Sequence, residues 1–369
     1  MTISAVDLFC GAGGLTYGLR EAGIDVEAGI DVDPSCRYPY ETNNEGSTFY
    51  ARDIGQLADE DPEFVADLFD SSAEATVLAG CAPCQPFSPL THGEDSSEHE
   101  SYGLLEAFGE LIKETEPDFI VMENVYEVRH HEVYEEFVEK VERLGYSLNP
   151  EENRRAFCPE FGLPQTRRRW LVVGSRNSLV KLTPTHEDPE QYPTVRECIG
   201  GGKLDKIEAG EPNEDDPLHT ARDLEPHNLE RVHLSKPGGT WKDWIEAGRE
   251  DLLLDCHKKD TGATYQSVYG RMEPDKPAPT ITTQFYNLGS GRFGHYDTDQ
   301  DRALSLREGA MIQSFPRDYD FVEQSSELEI TKIGQMIGNA VPPRLGEVVG
   351  NHIQEVVDGD RQSLLNNYH

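Results

Sequence analysis

One local pattern recurs along the first part of the sequence: a short apolar run, then a glycine, acid or cysteine, then a helix-like segment. The apolar runs occupy residues 5–9, 26–30, 48–50, 76–79 and 118–122. Strands that alternate with helices are typical of parallel sheets, because the connecting helices cover both faces of the sheet. The pattern predicts an α/β fold with a doubly wound, mostly parallel sheet. Ligands of such folds bind at the carboxyl ends of the strands, so the residues that follow each run are the candidate site residues.

The run at 76–79 leads into Gly80-Cys81-Ala82-Pro83-Cys84-Gln85-Pro86. Prolines on both sides of Cys84-Gln85 restrict the backbone that presents the Cys84 thiol. Three interpretations are open from these residues alone. Cys84 is a buried structural cysteine, or it forms a redox pair with Cys81, or it is a nucleophile that attacks an electrophilic carbon.

Glycines follow the first run, in Cys10-Gly11-Ala12-Gly13-Gly14, and apolar residues then recur at helical spacing from Leu15. A strand, a glycine loop and a helix in this order are typical of nucleotide binding, because small residues let a ligand approach the backbone near a helix N-terminus. No Lys-Ser/Thr pair follows, so this is not a phosphate loop of the Walker type. Asp31 ends the second run and Asp53 follows the third. Each is either a ligand for a ribose hydroxyl or a solvated loop or cap residue.

Glu123-Asn124-Val125 follows the run at 118–122, and a carboxylate at the mouth of a parallel sheet indicates a catalytic or hydrogen-bonding role. Arg167, Arg168 and Arg169 form the densest basic cluster of the chain. Alternation along an extended segment predicts that Arg167 and Arg169 share one face, whereas ordinary ion pairs are the simpler explanation of the cluster. The polar segment 89–101 is either a surface loop or a lid over a site.

The 369-residue chain is strongly acidic: Asp and Glu number 69 against 33 Lys and Arg, a formal net charge of −36. Such a surface repels itself at ordinary ionic strength but is screened in concentrated salt, so we expect a halophilic source. A nucleic-acid enzyme with this charge needs local rather than global basic contacts. The cysteines are scattered, which favours a reducing cytoplasm over a disulfide framework. The N-terminus does not have the pattern of a signal peptide, and no apolar run is long enough to span a bilayer. We therefore expect a cytoplasmic protein without a membrane partner.

From about residue 181 the periodicity fades, and Pro, Gly, Asp and His become frequent until about residue 261. This composition predicts a loop-rich second domain with little regular structure. Residues 304–315 and 345–357 return to helical spacing.

Taken together, these segments resemble the C5-cytosine DNA methyltransferases, in family order across nearly the whole chain. The matching segments are the glycine loop from Asp7, Pro83-Cys84-Gln85, Glu123-Asn124-Val125, Gln165-x-Arg167-x-Arg169, Arg307-Glu308 with Gln313-Ser-Phe-Pro316, and Gly338-Asn339-Ala340-Val341-Pro342-Pro343. One departure is Ala82, where Pro or Phe is more usual in the family. The resemblance implies S-adenosylmethionine as cofactor, double-stranded DNA as substrate, and no metal.

The resemblance also implies the catalytic roles. Cys84 would add to C6 of cytosine while Glu123 hydrogen-bonds N3, which makes C5 nucleophilic enough to take the methyl group. Arg169 would contact the O2 edge of the base, and Arg167 would help to hold the site. Because C5 and C6 are not accessible inside a duplex, the base would be flipped out. The segment 89–101 would then close over it.

For the cofactor, the family pattern places Phe9 against the adenine, the glycines along the methionine part and Asp31 on the ribose. The full set of implied cofactor residues is Phe9, Gly11, Gly13, Gly14, Leu15, Asp31, Asp53, Ile54, Pro83, Asn339, Ala340 and Val341. The implied domains are a catalytic and cofactor-binding domain at 1–183, a target-recognition domain at 184–332 facing it across a DNA cleft, and a C-terminal segment, 333–369, that returns to the first domain. Arg, Lys and Asn side chains of the second domain are expected to read the major groove.

Other functions remain open. One is an RNA (tRNA) cytosine methyltransferase of the same fold, although that branch's Cys-Phe-Thr signature is not found in the sequence. Another is a catalytically silent DNA-binding relative, which intact Cys84, Glu123 and Arg169 argue against. A thiol-redox function of Cys81 and Cys84 leaves the glycine loop and the arginines without a role. We expect a monomer, which a restriction endonuclease could accompany as a functional partner.

Overall fold

The computed structural model describes residues 2–83, 103–255, 257–258, 266–324 and 328–367, with only the backbone described from residue 360 onward. The described residues fall into two compact units. The first lies within Met1–Phe161, Arg168–Thr185 and Ala340–His369, and the second within Gly162–Arg167 and His186–Asn339.

The first unit is built on one sheet with the strand order β3-β2-β1-β4-β5-β8-β6, in which β7 also pairs with β8. Its strands are β1 (Ile3–Leu8), β2 (Asp25–Asp31), β3 (Thr48–Ala51), β4 (Ala75–Gly80), β5 (Phe119–Val125), β6 (Ser147–Leu148), β7 (Arg155–Phe157) and β8 (Arg168–Ser175). Strands β1 to β5 are parallel to one another, and β8 runs antiparallel to β5. The predicted mostly parallel α/β sheet is confirmed.

The helices of the first unit connect or flank these strands. They are α1 (Gly14–Glu21), α2 (Arg37–Asn43), α3 (Ile54–Glu60), α4 (Pro62–Ala66), α5 (Gly103–Thr115), α6 (Glu132–Arg143) and, after the numbers α7 to α11 that belong to the second unit, α12 (Pro343–Asn367). Apolar residues of α3, α4, α5 and α6 pack with the sheet strands in one continuous core. Because parallel crossovers are right-handed, the connections that run from β1 towards β3 and from β4 towards β5 place their helices on opposite faces of the sheet.

The strand order reverses between β1 and β4, which lie side by side with Leu8 opposite Gly80. From β1 the chain moves outward to β2 and β3, and from β4 it moves in the other direction to β5. At such a switch point the loops that leave the two strands diverge and open a crevice at the carboxyl edge of the sheet. The fold therefore directs the glycine loop and the cysteine stretch to one crevice.

Helix α12 packs along α1, although more than 300 residues separate them in the sequence. Glycines make the close approach possible: a Cβ at Gly18 would lie 2.0 Å from the carbonyl oxygen of Pro343, and one at Gly346 would lie 2.8 Å from that of Leu15. Pro343 begins α12, so the segment before it reaches the side of the helix that follows the glycine loop. The last part of the chain thus completes the first unit.

The second unit has short helices joined by long irregular segments. The helices are α7 (Val195–Ile199), α8 (Pro226–Leu234), α9 (Lys242–Glu246), α10 (Leu306–Ile312) and α11 (Ile330–Asn339). The predicted loop-rich character of this region is confirmed, and isolated bridges such as Arg271 with Gly294 replace extended strands among its described residues.

A buried arginine, Arg271, connects several of the irregular segments of this unit through hydrogen bonds. The Arg271 side chain is fully buried, and its guanidinium donates to the carbonyl oxygens of Val232, Ser235, His295 and Gln300 and contacts Asp301. Buried carbonyl groups need donors, and a guanidinium has five N–H groups in a fixed fork. One side chain therefore ties together several loops.

The compact units differ from the domain limits expected from the sequence at two points. The expected boundary between residues 332 and 333 falls inside α11, which lies wholly in the second unit. Residues 162–167, expected in the first domain, also belong to the second unit. At the first point a continuous helix crosses the expected limit, and at the second Gln165 forms a bridge with Ala278 of the second unit.

Candidate active site

The ends of β1 and β4 bring the glycine loop and the cysteine stretch together. The Cys81 amide donates to the carbonyl oxygen of Leu8 at 3.3 Å, which extends the β1–β4 pairing one residue beyond β4. Both segments then leave the sheet at the same edge. This is the crevice in which we place the candidate site.

The glycine loop turns sharply immediately after β1. Phe9 has φ = 57°, and Gly11 and Gly13 have φ of 51° and 90°. A left-handed conformation is unfavourable for a residue with a Cβ, so Phe9 is held in a strained backbone geometry by its surroundings, whereas the glycines adopt it freely. The turn leaves the N-terminus of α1 without a side-chain cap.

Asp31 at the end of β2 holds this loop in place. One carboxylate oxygen accepts from the Gly11 amide at 2.9 Å, and the other accepts from the Asp33 amide at 2.9 Å. Burial raises the pKa of Asp31, and the two amide donors oppose that rise. Asp31, for which the family resemblance implies a ribose contact, therefore orders the neighbouring loop.

The space around the loop is suited to a nucleoside-like group. A Cβ built on Gly11 would meet no atom within 4 Å, so the backbone there faces open space. Next to Asp31, the Val32 side chain is 68% exposed, the highest value among the large apolar residues that stand out from the described surface. A carboxylate beside an exposed apolar surface matches a sugar hydroxyl attached to a flat, weakly polar ring. The residues present fit an adenosine group.

Sequence analysis did not identify Val32. Its signal was available, because an apolar residue directly after the acid at a strand end has no neighbours in the sheet to cover it. The apolar run at 26–30 and the acid that follows it stop one residue before Val32.

A second carboxyl lies beneath the loop. Asp7 is buried within β1, and one of its oxygens accepts from the Thr16 hydroxyl at 2.7 Å, while the other has no hydrogen-bond partner. The Tyr40 hydroxyl lies 3.2 Å from that of Thr16 and 2.7 Å from that of Ser47. Burial raises the pKa of Asp7 to about 7, against the hydrogen bond from Thr16 and with a contribution from the Asp31 charge.

The predicted acid, Glu123, is 2% exposed and lies near the carboxyl end of β5, inside the strand rather than after it. One carboxylate oxygen lies 2.7 Å from Nε of Arg169, and the other accepts from the Cys81 thiol at 2.7 Å. The arginine contact is one of charge and not an aligned hydrogen bond. Two groups thus hold the carboxylate at the edge of the crevice.

The sheet register explains why these residues meet. Strand β8 pairs antiparallel with β5, so that Val125 lies opposite Arg169 and Glu123 opposite Leu171. Residues two apart on a strand face the same side, which places Glu123 and Arg169 on one face. Cys81 joins them from the end of the adjacent strand, β4.

The residues before Cys84 are also fixed from β5. The Asn124 side-chain amide donates to the carbonyl oxygen of Ala82 at 3.2 Å, and Ala82 is itself buried. Pro83 is the last described residue of this stretch. Cys84, Gln85 and the segment 89–101 lie outside the described residues.

The expectation that Arg167 and Arg169 share one face stays a prediction, and the two side chains take different partners. Arg167 is 1% exposed and belongs to the second unit, where it donates to the carbonyl oxygens of Ile281 and Gly338 at 2.9 Å. Arg169 belongs to the first unit and contacts Glu123. Two nitrogens of its guanidinium thus serve as donors to backbone carbonyl groups within the second unit.

Asp53 was expected near the adenine, and the structure shows the alternative that the sequence had left open. It is the N-cap of α3, and its carboxylate accepts from the Gln56 amide at 3.0 Å. The Leu15, Ile54 and Val341 side chains are 4%, 3% and 6% exposed. They are largely committed to packing, which leaves mainly their backbone groups available to a ligand.

Residues 339–341 link the two units in sequence. Asn339 ends α11 in the second unit and is exposed, while Ala340 and Val341 belong to the first unit and lead to α12 beside α1. Within the first unit, this path brings Ala340 and Val341 towards the helix that follows the glycine loop.

No group of three or more metal-ligating side chains occurs in the part of the chain that the structure describes. Among those same residues, no helix combines the length and apolar character needed to cross a bilayer.

The sequence matches the family described as C-5 cytosine-specific DNA methylase over residues 3–355, nearly its whole length. The chain belongs to this family. Its members are S-adenosylmethionine-dependent enzymes of cytosine C5, so the assignment agrees with the fit of an adenosine group beside Asp31 and with the buried acid at Glu123.

Two relatives are similar along most of their length. The Type II methylase M.HgiDII of Herpetosiphon aurantiacus is 44% identical over 362 residues, which cover 97% of this chain and 97% of that protein. The Type II methyltransferase M1.HphI of Haemophilus parahaemolyticus is 29% identical, with 96% of this chain and 87% of that protein covered.

Solved structures show the same fold at low sequence identity. A DNA modification methyltransferase encoded within an Escherichia coli prophage superposes with a TM-score of 0.69 at 18% identity, covering 96% of this chain and 99% of that one. The Dnmt2 methyltransferase of S. pombe gives 0.59 at 15% identity, with 97% and 99% covered.

Proposed function

We propose that this chain methylates C5 of a flipped-out cytosine within a short DNA sequence, through a covalent bond between Cys84 and C6. The observation that supports this most directly is the placement of Glu123. Its buried carboxylate is held by Arg169 and Cys81 where β5 and β4 end side by side, and β4 leads within four residues to Cys84.

The chemistry assigns a role to each side chain. The Cys84 thiolate forms a bond to C6 while Glu123 hydrogen-bonds N3, so that electron density moves to C5. C5 takes the methyl group, a base removes the C5 proton, and the returning electron pair breaks the C6–S bond and frees the thiolate. Arg169 holds Glu123 and borders the position of the O2 edge of the base. Arg167 acts at a distance, by fixing the backbone of Gly338 just before residues 339–341.

S-adenosylmethionine supplies the methyl group from its sulfonium when it is bound. Asp31 would receive the ribose hydroxyls, Val32 and Phe9 would border the adenine, and Gly11, Gly13 and Gly14 would admit the methionine part to the backbone. Ala340 and Val341 would border the same space through backbone groups.

The duplex must release its base before Cys84 and Glu123 can act, because C5 and C6 are stacked and paired inside it. The segment 89–101 would cover the released base. The second unit would choose the DNA sequence, as the target-recognition part of the protein.

The similarity to two Type II enzymes supports a restriction-modification setting, in which an endonuclease recognises the same sequence. The net charge of −36 supports activity in concentrated salt. We expect the protein to act as a monomer in the cytoplasm.

Expression in a host with unmethylated DNA, followed by bisulfite sequencing of that DNA, tests the function. We expect 5-methylcytosine at one short motif, and none with Cys84→Ala. Cys81→Ser serves as the second variant, because a serine hydroxyl still donates to Glu123: a methyltransferase keeps most of its activity, whereas a redox pair loses it.

Absence of methylation from a folded, cofactor-binding protein, repeated in molar KCl, would contradict the proposal. Methylated RNA from the same cells would then favour the RNA enzyme. Unmodified RNA together with retained DNA binding would favour the silent relative.

A further inference from the structure

The cations of this acidic chain are mostly paired. Arg37 lies 2.9 Å from Glu41, Arg52 lies 3.0 Å from Asp61, and Lys113 lies 2.9 Å from Glu114. With 69 acids to 33 bases, carboxylates are plentiful, yet some of the basic side chains that the structure describes pair with none. Two such arginines, Arg129 and Arg168, occur near the candidate active site.

Arg129 and Arg168 make no ion pair with any acid in the described ranges, although Glu127 and Glu132 are close to Arg129 in the sequence. Arg129 is half-buried, its guanidinium lies 4.0 Å from the centre of the Tyr126 ring and 5.6 Å from that of Trp170, and its Nε has no partner. Arg168 is exposed, and its guanidinium lies 5.1 Å from the centre of the Phe157 ring.

The two arginines lie on one face of the sheet. Arg168 and Trp170 are two apart on β8, so their side chains point to the same side, and Arg129 lies over Trp170. Phe157, opposite Arg168 on β7, shares that side. Glu123 and Arg169 lie on the other side of the same strands.

Both arginines are also at the edge of the sheet that holds the candidate site. Arg129 belongs to the turn that follows the carboxyl end of β5, three residues beyond Tyr126. Arg168 begins β8, which is antiparallel to β5, so its first residue lies at that same edge. The aromatic rings fix the direction of both guanidinium groups, which lowers the entropy that they lose on binding a ligand.

We propose that Arg129 and Arg168, which we call the rim arginines, bind phosphates of the DNA strand beside the flipped base. This rests on the proposed function and adds the residues that hold the strand. A planar fork of donors matches a phosphate, and rings under the guanidinium groups also suit the sugar and base surfaces that accompany it. In a chain whose overall charge repels DNA, such contacts have to be local.

The test is the affinity of the apo protein for a labelled duplex oligonucleotide of mixed sequence, measured against salt concentration. For Arg129→Ala/Arg168→Ala we expect a loss of about tenfold to a hundredfold at low salt, and a plot of log K against log salt that is flatter by about 1 to 2. Methylation of unmethylated genomic DNA should show a raised KM for DNA, with most of the loss removed at saturating DNA.

A matched control removes the same charge elsewhere. Lys113 and Arg143 are exposed, pair with acids, and lie at the C-terminal ends of α5 and α6. Those ends lie at the opposite edge of the sheet, since each of the two helices runs back from the carboxyl edge. Lys113→Ala/Arg143→Ala should change the affinity by less than about twofold. Arg129→Lys/Arg168→Lys keeps the charge and should restore the salt slope but only part of the affinity.

Equal affinity and salt slope in the rim and control variants would overturn the proposal. So would a single-stranded or structured RNA that displaced the duplex from the wild-type protein but not from the rim variant, since the surface would then serve RNA. Because binding is measured without methyl transfer, a wild-type protein that binds DNA and methylates nothing would contradict the proposed function alone.

Discussion

Glu123 and Glu308 are both buried acids that face an arginine, yet their surroundings differ. In the second unit, both oxygens of Glu308 accept from Arg302, at 2.8 and 2.7 Å, and the Ser305 amide adds a further donor. His295 lies 3.4 Å away, and Arg302 is fully buried. In the first unit, Glu123 has one charge contact and one thiol donor, and its arginine remains 13% exposed.

The difference is the one we expect between a structural ion pair and a pair that serves the proposed reaction. Burial alone would raise the pKa of Glu308, but the Arg302 charge outweighs it and lowers the pKa well below the usual range of a glutamate. Every donor and acceptor there is used, so no group remains for a ligand. Glu123 keeps hydrogen-bonding capacity at the edge of a crevice, where a substrate could use it.

The largest effect is expected from Glu123→Ala on catalysis. Loss of the hydrogen bond to N3 should lower kcat by about 10² to 10⁴, because the charge that develops on the ring is no longer stabilised. The free energy of unfolding should fall much less, since Arg169 can reach solvent. Single-turnover methylation together with urea unfolding measures both. As a control, Glu139→Ala removes an exposed surface partner of Arg143 and should change neither.

Glu308→Ala should have the opposite effect: a large loss of stability and little loss of kcat. It leaves Arg302 buried without a counter-charge and removes the capping box of α10, so we expect the free energy of unfolding to fall by about 3 to 5 kcal/mol. The molecules that remain folded should keep their kcat per bound cofactor. A loss of kcat equal to that of Glu123→Ala, without loss of stability, would break the distinction between the two acids.

Asp7 extends the comparison of Glu123 and Glu308, because it is a buried acid that faces no arginine among the described residues. Its pKa in the folded protein is about 7, above the unfolded value of 3.8, so the native state binds the extra proton between these values. Stability should therefore be highest at low pH and fall as pH rises, by about 2 kcal/mol between pH 5 and pH 7 from this group alone. Asp7→Asn should lose that decline, which unfolding curves at the two pH values would show. An unchanged slope would mean that Asp7 is already ionised at pH 5.

The sequence predicted much of the first unit for a physical reason. Buried parallel strands are apolar runs, and the sheet brings their carboxyl ends together, so Asp31, Glu123 and the cysteine stretch could be placed at one edge without knowledge of their contacts. The tight turn after β1 could be predicted because glycines stand where the backbone needs positive φ, at Gly11 and Gly13.

Contacts between distant side chains could not be read in this way. The thiol contact of Cys81 with Glu123 joins two strand ends, and the Arg271 network joins loops that carry no periodicity. The burial of Arg167 in the second unit also depends on Ile281 and Gly338, more than 100 residues away. In each case the side chain has many possible partners in the sequence, and only the packed tertiary structure determines which one it contacts.

The packing of α12 against α1 has a consequence for how the protein folds during synthesis. During synthesis α1 leaves the ribosome long before α12, because residues 186–339 of the second unit are produced between them. Helix α1 therefore lacks its partner throughout that time. The inserted unit can reach its own contacts earlier. In the nascent chain, the face of α1 that α12 later covers therefore stays exposed while the second unit is produced. Chaperones can bind this face of the first unit during that period.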